Sequence, residues 1–376
     1  KLVVRLAGLL ILIATFPEIK ASLAVQGVVV SGGGIALVIF YYLRSKFTKW
    51  TIPFIYLGSV GVVGFVALMG ALQKGPLTSI VYKTSVSLRG EYWQAGINMG
   101  NSHPFTGVGM DSYGDWYRRS RDAQALILPG PNTTTNAAHN VFLDISSYGG
   151  FPLLVIYVAL MALVVVSGIK VLKRSHGFNP VFAGLVGGWV AFQAQSIISI
   201  NQIGLAIWGW VLTGAAIAFE RISRHEITAT ESSPDRTKSS KSVKNSESDH
   251  LKAVLISSFF GLIGLLLALP PYSADSKWRS AQVSQSAQAI EESMRQSYFN
   301  PPNTMKYISN IQIFEENNLP ELGHRYTLEA VKWNPESFEH WKLLYLIRNS
   351  TSEEKQLALE NMKRLDPLNP DVVGTQ

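Results

Sequence analysis

The sequence predicts a mainly α-helical protein: a polytopic transmembrane helical bundle with a long extracytoplasmic loop and a C-terminal helical soluble domain. Three observations lead there. Charged residues make up only 16% of the 376 residues, against 47% apolar ones, whereas soluble globular chains carry about 25% charge. The charge is unevenly spread, with long segments nearly free of it. Those segments are close to the about 20 residues that a helix needs to cross a bilayer core. The 33 Lys and Arg against 26 Asp and Glu leave a net charge of +7. In a membrane protein this excess reflects basic cytoplasmic loops rather than nucleic-acid binding. The absence of cysteine excludes disulfide frameworks, thiolate metal sites and cysteine nucleophiles. The chain enters an apolar run directly after Lys1, without a visible signal-peptide cleavage site. It is read as the C-terminal part of a longer protein.

Seven apolar runs are candidate spans: 2–16, 24–43, 52–72, 151–171, 180–199, 203–219 and 253–270. From the second run onward the only charged side chain is Lys170, at the end of the fourth. Basic residues orient the spans. Arg44, Lys46 and Lys49 follow the second run; Lys173 and Arg174 follow the fourth; Arg221, Arg224, Lys238, Lys241 and Lys244 follow the sixth. These three linkers are assigned to the cytoplasm, which leaves 73–150 and 272–376 outside. The expected organisation is a transmembrane domain over 1–221 that includes the loop 73–150, a linker over 222–251, a last transmembrane helix over 252–271 and an extracytoplasmic domain over 272–376. The linker is rich in Ser, Thr, Lys and Glu. It lacks the apolar surface needed to fold, so it is expected to be disordered and cytoplasmic.

The C-terminal region is soluble in character and patterned for helices. Asn300-Pro301, Asn334-Pro335 and Asp366-Pro367 recur 34 and 32 residues apart. Between them lie helix-spaced apolar residues: Leu322, Tyr326, Ala330 and Val331, then Phe338, Trp341, Leu344 and Tyr345. This period resembles tetratricopeptide repeats, whose stacked helix pairs present a protein-binding surface. A generic helical hairpin domain is the alternative.

The loop 73–150 is far longer than an ordinary connection, which points to function or disorder. Its composition is not that of a disordered tether, because it holds Arg89, Glu91, Tyr92, Trp93, His103, Tyr113, Trp116, Tyr117, Arg118, Arg119, Arg121 and His139. Aromatic faces stack on sugar rings, and guanidinium forks bind phosphate oxygens. This mixture suits an anionic, sugar-bearing ligand. Individually, each of these residues also fits an interfacial aromatic belt or an ordinary charged surface. No cluster of His or carboxylates shows metal-ligand spacing. Gly107-Val108-Gly109 lacks the Lys-Ser/Thr and βαβ setting of a nucleotide loop and reads as a tight turn. No cofactor or metal is expected.

The order of residues in the loop resembles the O-antigen ligase/polymerase family of bacterial envelope proteins. The resemblance rests on Arg89-x-x-x-Trp93, on Pro104-x-x-Gly107-Val108-Gly109-x-x-x-Tyr113, and on His139-Asn140 with nine residues to Gly150. His139-Asn140-Val-Phe142-Leu143-Asp144, followed by Gly149-Gly150-Phe-Pro152, looks like the family's His-bearing loop end. The resemblance covers roughly 24–220. Ser31-Gly32-Gly33 is similar to the family's Ser-Arg-Gly element with Gly in place of Arg. Tyr148 and Leu153 also depart from the family's usual residues.

The resemblance implies transfer of a glycan from an undecaprenyl-diphosphate carrier to an acceptor at the outer face of a bacterial cytoplasmic membrane. Such a reaction needs a cation for the departing diphosphate and a base for the acceptor hydroxyl. Arg89 is the candidate cation. His139 is the candidate base, since histidine titrates near neutrality. Asn140, Trp93, Arg118, Arg119, Arg121, Tyr113 and Asp144 are the candidate substrate-binding residues; Asp144 is expected either to orient the imidazole or to cap the following helix. The implied partners are the lipid-linked donor, a glycan, lipid or protein acceptor, membrane lipids, and an envelope protein recruited through 272–376, with no nucleic acid. Two other classes remain open: a solute transporter (bicarbonate-like, for example) and a membrane-anchored scaffold acting through its repeat domain.

Overall fold

The computed structural model describes residues 2–21, 25–82, 84–174, 177–231, 239–284, 286–298 and 300–374, and among them every regular element is a helix. This follows from the composition. Within a bilayer no water is available to the backbone, so an uninterrupted apolar run satisfies its N–H and C=O groups only by closing its own helical hydrogen bonds. Six of the helices are long and apolar enough to cross a membrane: Gln26–Lys46, Thr51–Ala71, Val141–Arg174, Pro180–Ile198, Ile203–Arg224 and Leu251–Ser284. They carry the second to seventh apolar runs. The first run lies on helix α1, Leu2–Ala21. The chain divides into two units, residues 1–231 and 232–376.

In the first unit α2 (Val25–Lys46) packs against both α3 (Thr51–Ala71) and α9 (Pro180–Ile198). The α2–α9 crossing is close because Gly34 faces Gly187: a Cβ on Gly34 would meet the Gly187 carbonyl oxygen at 2.9 Å. Small residues at a crossing allow this approach between membrane helices. Helix α10 (Ile203–Glu231) packs on α8 (Val141–Arg174) and on α9, with Trp189 Nε1 donating to Thr213 Oγ1 at 3.1 Å.

The basic linkers gather at one end of this bundle. Arg174 at the end of α8 pairs with Glu220 on α10 at 2.6 Å. Three residues beyond Arg174, the Gly177 carbonyl accepts from the Tyr41 hydroxyl near the end of α2, at 3.0 Å. The segment 73–150 lies at the opposite end and is built from α4 (Thr78–Val81), α5 (Thr84–Ser102), α6 (Tyr113–Ser120), α7 (Gln124–Ile127) and the first two turns of α8. It has its own core, in which Tyr92, Ala95 and Met99 of α5 meet Tyr113 and Tyr117 of α6 and Ala138.

The second unit begins with α11 (Ser239–Ser284), which continues as helix through Pro270 and Pro271. Residues 222–231 at the end of α10 and 239–250 at the start of α11 are also helical, while 232–238, at the centre of the expected disordered linker, lie outside the described residues. Once a helix is nucleated, each added residue gains a hydrogen bond, so a span can propagate into a polar flank that would not fold alone. After α11 come α12 (Ala287–Met294), α13 (Thr304–Glu316), α14 (Pro320–Trp333), α15 (Phe338–Leu346), α16 (Ser352–Leu365) and α17 (Pro370–Val373). Helices α13 and α14 pack as one pair, and α15 and α16 as another. Asn334 and Asp366 form the C-caps of α14 and α16, so two of the recurring Asn/Asp-Pro pairs close a helix pair, while Asn300-Pro301 precedes α13. Tyr326, Ala330, Val331, Phe338, Trp341 and Leu344 are buried in this core, and Leu322 and Tyr345 pack against it.

Candidate functional site

The site is framed by a break in α8. Gly149 and Gly150 have non-helical backbone angles, and at Gly150 these are φ 68° and ψ −171°. This is a region almost restricted to glycine. The break frees the carbonyls of Ser147 and Tyr148, which accept from the N–H groups of Val108 (2.7 Å) and Gly109 (3.2 Å). In return the Phe151 N–H donates to the Pro104 carbonyl at 2.7 Å. The Pro104–Gly109 turn is thus stitched to the start of the apolar part of α8. A Cβ on Gly150 would lie 2.5 Å from the Pro104 oxygen, and one on Gly107 (φ 63°) would collide with the Ser147 carbonyl. The two glycine-bearing motifs read from the sequence are therefore the two sides of a single backbone seam.

The seam fixes the helical start of α8 and, with it, the turn that carries His139. Asn140 is the N-cap, its Oδ1 accepting from Phe142 N at 3.0 Å and Leu143 N at 3.2 Å. Such a cap satisfies backbone donors that the first helical turn leaves unpaired. Asp144 is buried, and its Oδ1 accepts from Ala138 N at 2.6 Å. Asp144 thus holds the turn from behind His139 and neither bonds the imidazole nor caps α8. His139 itself has a φ of 57°. This conformation brings its ring against Tyr92 of α5, with centroids 5.7 Å apart and planes 28° from parallel.

Arg89 lies on the same helix as Tyr92, one turn earlier. Its Nη2 donates to Gln26 Oε1 on α2 at 3.0 Å. Both Arg89 and His139 are half-buried. Burial, and then the positive charge of Arg89, push the His139 imidazole below its ordinary value of 6.5. The ring is therefore neutral at neutral pH, the state of a proton acceptor. Burial also lowers Arg89, but a guanidinium stays charged in proteins. Three elements (α2, α5 and the turn before α8) thus place a cation and a neutral imidazole at one end of the bundle, near enough for the charge of Arg89 to act on the ring.

The other residues singled out from the sequence form the framework around this pair. Tyr113 is fully buried, and its hydroxyl donates to the Tyr92 carbonyl. Burial pushes the Tyr113 phenol well up and raises that of Tyr117 to about 12. Arg118 and Arg121 are buried at 4% and 2% exposure and donate to the carbonyls of Pro131 (3.3 Å) and Thr133 (3.5 Å). They bind the chain between α7 and His139 to α6. Arg119 lies over the Trp116 ring at 4.0 Å. Trp93 packs against the core of this segment, and its buried Nε1 has no hydrogen-bond partner among the described residues. His103 bonds Ser102 Oγ at 3.0 Å and meets Trp116 edge-on. Sequence reasoning missed Gln26. The only signal was one amide near the start of an otherwise apolar run.

Residues 7–158 match the family model described as O-antigen ligase. That stretch, 152 of the 376 residues, is similar to the O-antigen ligase family. No curated protein and no solved structure matches the chain. The matched stretch ends just beyond the Gly149-Gly150 break, so it includes Gln26, Arg89, the Pro104–Gly109 turn and His139. The six apolar helices and the similarity to this family fit a multi-pass membrane protein.

Proposed function

We propose that this protein is a membrane glycosyltransferase that moves a glycan from an undecaprenyl-diphosphate carrier to an acceptor hydroxyl at the outer face of the bacterial cytoplasmic membrane. The observation that carries the reading is that the His139 ring stacks on Tyr92, one helical turn from Arg89 on α5. In the reaction, His139 takes the proton of the acceptor hydroxyl as its oxygen bonds to the anomeric carbon. The bond from that carbon to the diphosphate oxygen breaks, and the lipid diphosphate leaves with its charge facing Arg89. A preorganised cation placed where charge develops lowers the barrier without reorganisation at the moment of reaction. A base with pKa near or below the working pH is already deprotonated. Asp144, Asn140 and the glycine seam serve as positioning groups for His139.

The sidedness follows from charge. The end of the bundle bearing Arg44, Lys46, Lys173, Arg174, Arg221 and Arg224 is taken as cytoplasmic. The end bearing Arg89 and His139 then faces out, where a lipid-linked donor presents its headgroup. The C-terminal unit, read as tetratricopeptide-like from its helix pairs closed by Asn334-Pro335 and Asp366-Pro367, is assigned to the same outer side and to recruitment of an envelope protein.

The test is reconstitution into vesicles with an undecaprenyl-diphosphate glycan and an acceptor. Wild-type protein is expected to release undecaprenyl diphosphate and glycosylated acceptor, and Arg89→Ala and His139→Ala to lose at least about a hundredfold in rate, the usual range for one such group. Full transfer by both variants at wild-type protein levels would overturn the assignment.

A further inference from the structure

We infer that Gln26 is a positioning residue for the transfer reaction, an amide at the outer end of α2 that fixes the Arg89 guanidinium beside His139 and leaves its remaining N–H groups for the donor diphosphate. The inference rests on the catalytic reading of Arg89 and His139 and adds a residue from a third element to their site.

Geometry carries it. The Arg89 Nη2–Gln26 Oε1 bond is 3.0 Å long and joins residues 63 positions apart. Arg89 has three rotatable stem carbons, and an unanchored side chain of that kind samples many rotamers. Anchoring one of five donors removes much of this freedom while keeping the planar fork available for phosphate oxygens. Gln26 is the chemically fitting anchor. Its amide oxygen accepts strongly, yet it carries no charge that would neutralise the guanidinium needed by the diphosphate. A carboxylate at this position would form an ion pair and compete with the anionic substrate.

The surroundings are consistent with this division of labour. Glu91, on the same helix, is the nearest acidic side chain in sequence, and burial followed by the charge of Asp122 raises its carboxyl. Asp122 is in turn held by Asn98 Nδ2 at 3.0 Å, and the Asp144 carboxylate is occupied by Ala138 N. The Tyr92 ring stacks on His139. Among the described residues, the hydrogen-bond partner of the Arg89 guanidinium is thus a neutral amide from a membrane helix. This arrangement ties the outer end of α2 to α5 and gives the cation a fixed position relative to the lipid surface.

The experiment compares wild type, Gln26→Met and Gln26→Glu in the reconstituted transfer assay, with KM for the lipid-linked donor, kcat and the pH dependence of kcat/KM as readouts. Gln26→Met keeps the volume and removes the acceptor. It is expected to raise donor KM about tenfold, the ratio for one charge-assisted hydrogen bond, to leave acceptor KM unchanged, and to move the acidic limb of the profile upward as Arg89 leaves His139. Gln26→Glu keeps an acceptor in place. It is expected to hold Arg89 but weaken donor binding by charge competition, so donor KM again rises, with the rise reduced in high salt. Unchanged donor KM and pH profile in Gln26→Met, with Arg89→Ala inactive, would overturn the role of Gln26 while leaving the catalytic pair standing. An active Arg89→Ala would instead remove the catalytic reading itself. Should Gln26→Met fail to fold, the salt-dependent donor KM of Gln26→Glu decides, and a value equal to wild type at all salt concentrations overturns the inference.

Discussion

Replacing Gly150 by alanine probes the seam that holds the His139 turn in place. Two effects combine. The backbone at Gly150, φ 68° and ψ −171°, is strained for any residue with a Cβ, at about 1–3 kcal/mol. The new methyl group would also sit 2.5 Å from the Pro104 oxygen and 2.8 Å from the Phe105 carbonyl carbon. The turn must then retreat, and the Phe151 N–Pro104 O bond of 2.7 Å is lost, at a net about 0.5–1.5 kcal/mol. The sum is about 1.5–4.5 kcal/mol, or a Tm decrease of about 3–18 °C for a unit of this size. The assay is thermal unfolding of the detergent-solubilised protein, combined with limited proteolysis in the 104–110 turn. Gly107→Ala opens the same seam, so the double variant is expected to lose less than the two single losses added together. Gly33→Ala is the control: it lies within α2 with nothing within 4 Å of a new Cβ, and it should leave Tm unchanged or slightly raised. A Gly150→Ala protein that unfolds within about 1 °C of wild type, well below the smallest shift worked out above, would refute the seam.

Two further predictions concern the framework. Arg121→Ala leaves the Thr133 carbonyl, 3.5 Å from Arg121 Nη1, without that donor; it is expected to destabilise the segment 73–150 by about 1–3 kcal/mol and to lower Tm more than it raises donor KM. A donor KM effect without any loss of Tm would return Arg121 to the substrate-contacting group. Asp144→Ala removes the acceptor of Ala138 N, while Asp144→Asn retains one. Transfer is expected to fall strongly in the first and recover most of its rate in the second, at unchanged protein level. Equal loss in both would mean that the charge of Asp144, and not its hydrogen bond, is what matters.

The spans were legible because a bilayer imposes a simple rule, and the runs from 24–43 onward obey it with hardly a charged side chain. The His139 and glycine motifs were legible as a pattern, but their mutual function was not. Gly107 and Gly150 are 43 residues apart in sequence, and only the fold shows that Gly107 leaves room for the backbone of 147–149 and Gly150 for that of 104–105. Arg118, Arg119 and Arg121 illustrate the opposite difficulty. An arginine that holds a loop and one that awaits a phosphate are the same letter, and burial at 4% and 2% separates Arg118 and Arg121 from Arg89. Asp144 was placed at the right turn with the wrong partner, because a reach back to Ala138 depends on the left-handed conformation of His139. The continuation of α11 through Pro270-Pro271 was hidden by two residues that commonly end helices.

The most direct test of the Arg89–His139 pair is the pH dependence of kcat/KM for the acceptor in wild type, Arg89→Lys and Arg89→Gln. With His139 as the proposed base, the rate is expected to fall as pH drops through its pKa, which burial and then Arg89 hold below the ordinary 6.5. Removing the neighbouring positive charge raises that pKa. The acidic limb should therefore move to higher pH in Arg89→Gln and stay near its wild-type position in Arg89→Lys, even though both variants turn over more slowly. An acidic limb at the same pH in all three proteins would contradict a shared site for the two groups.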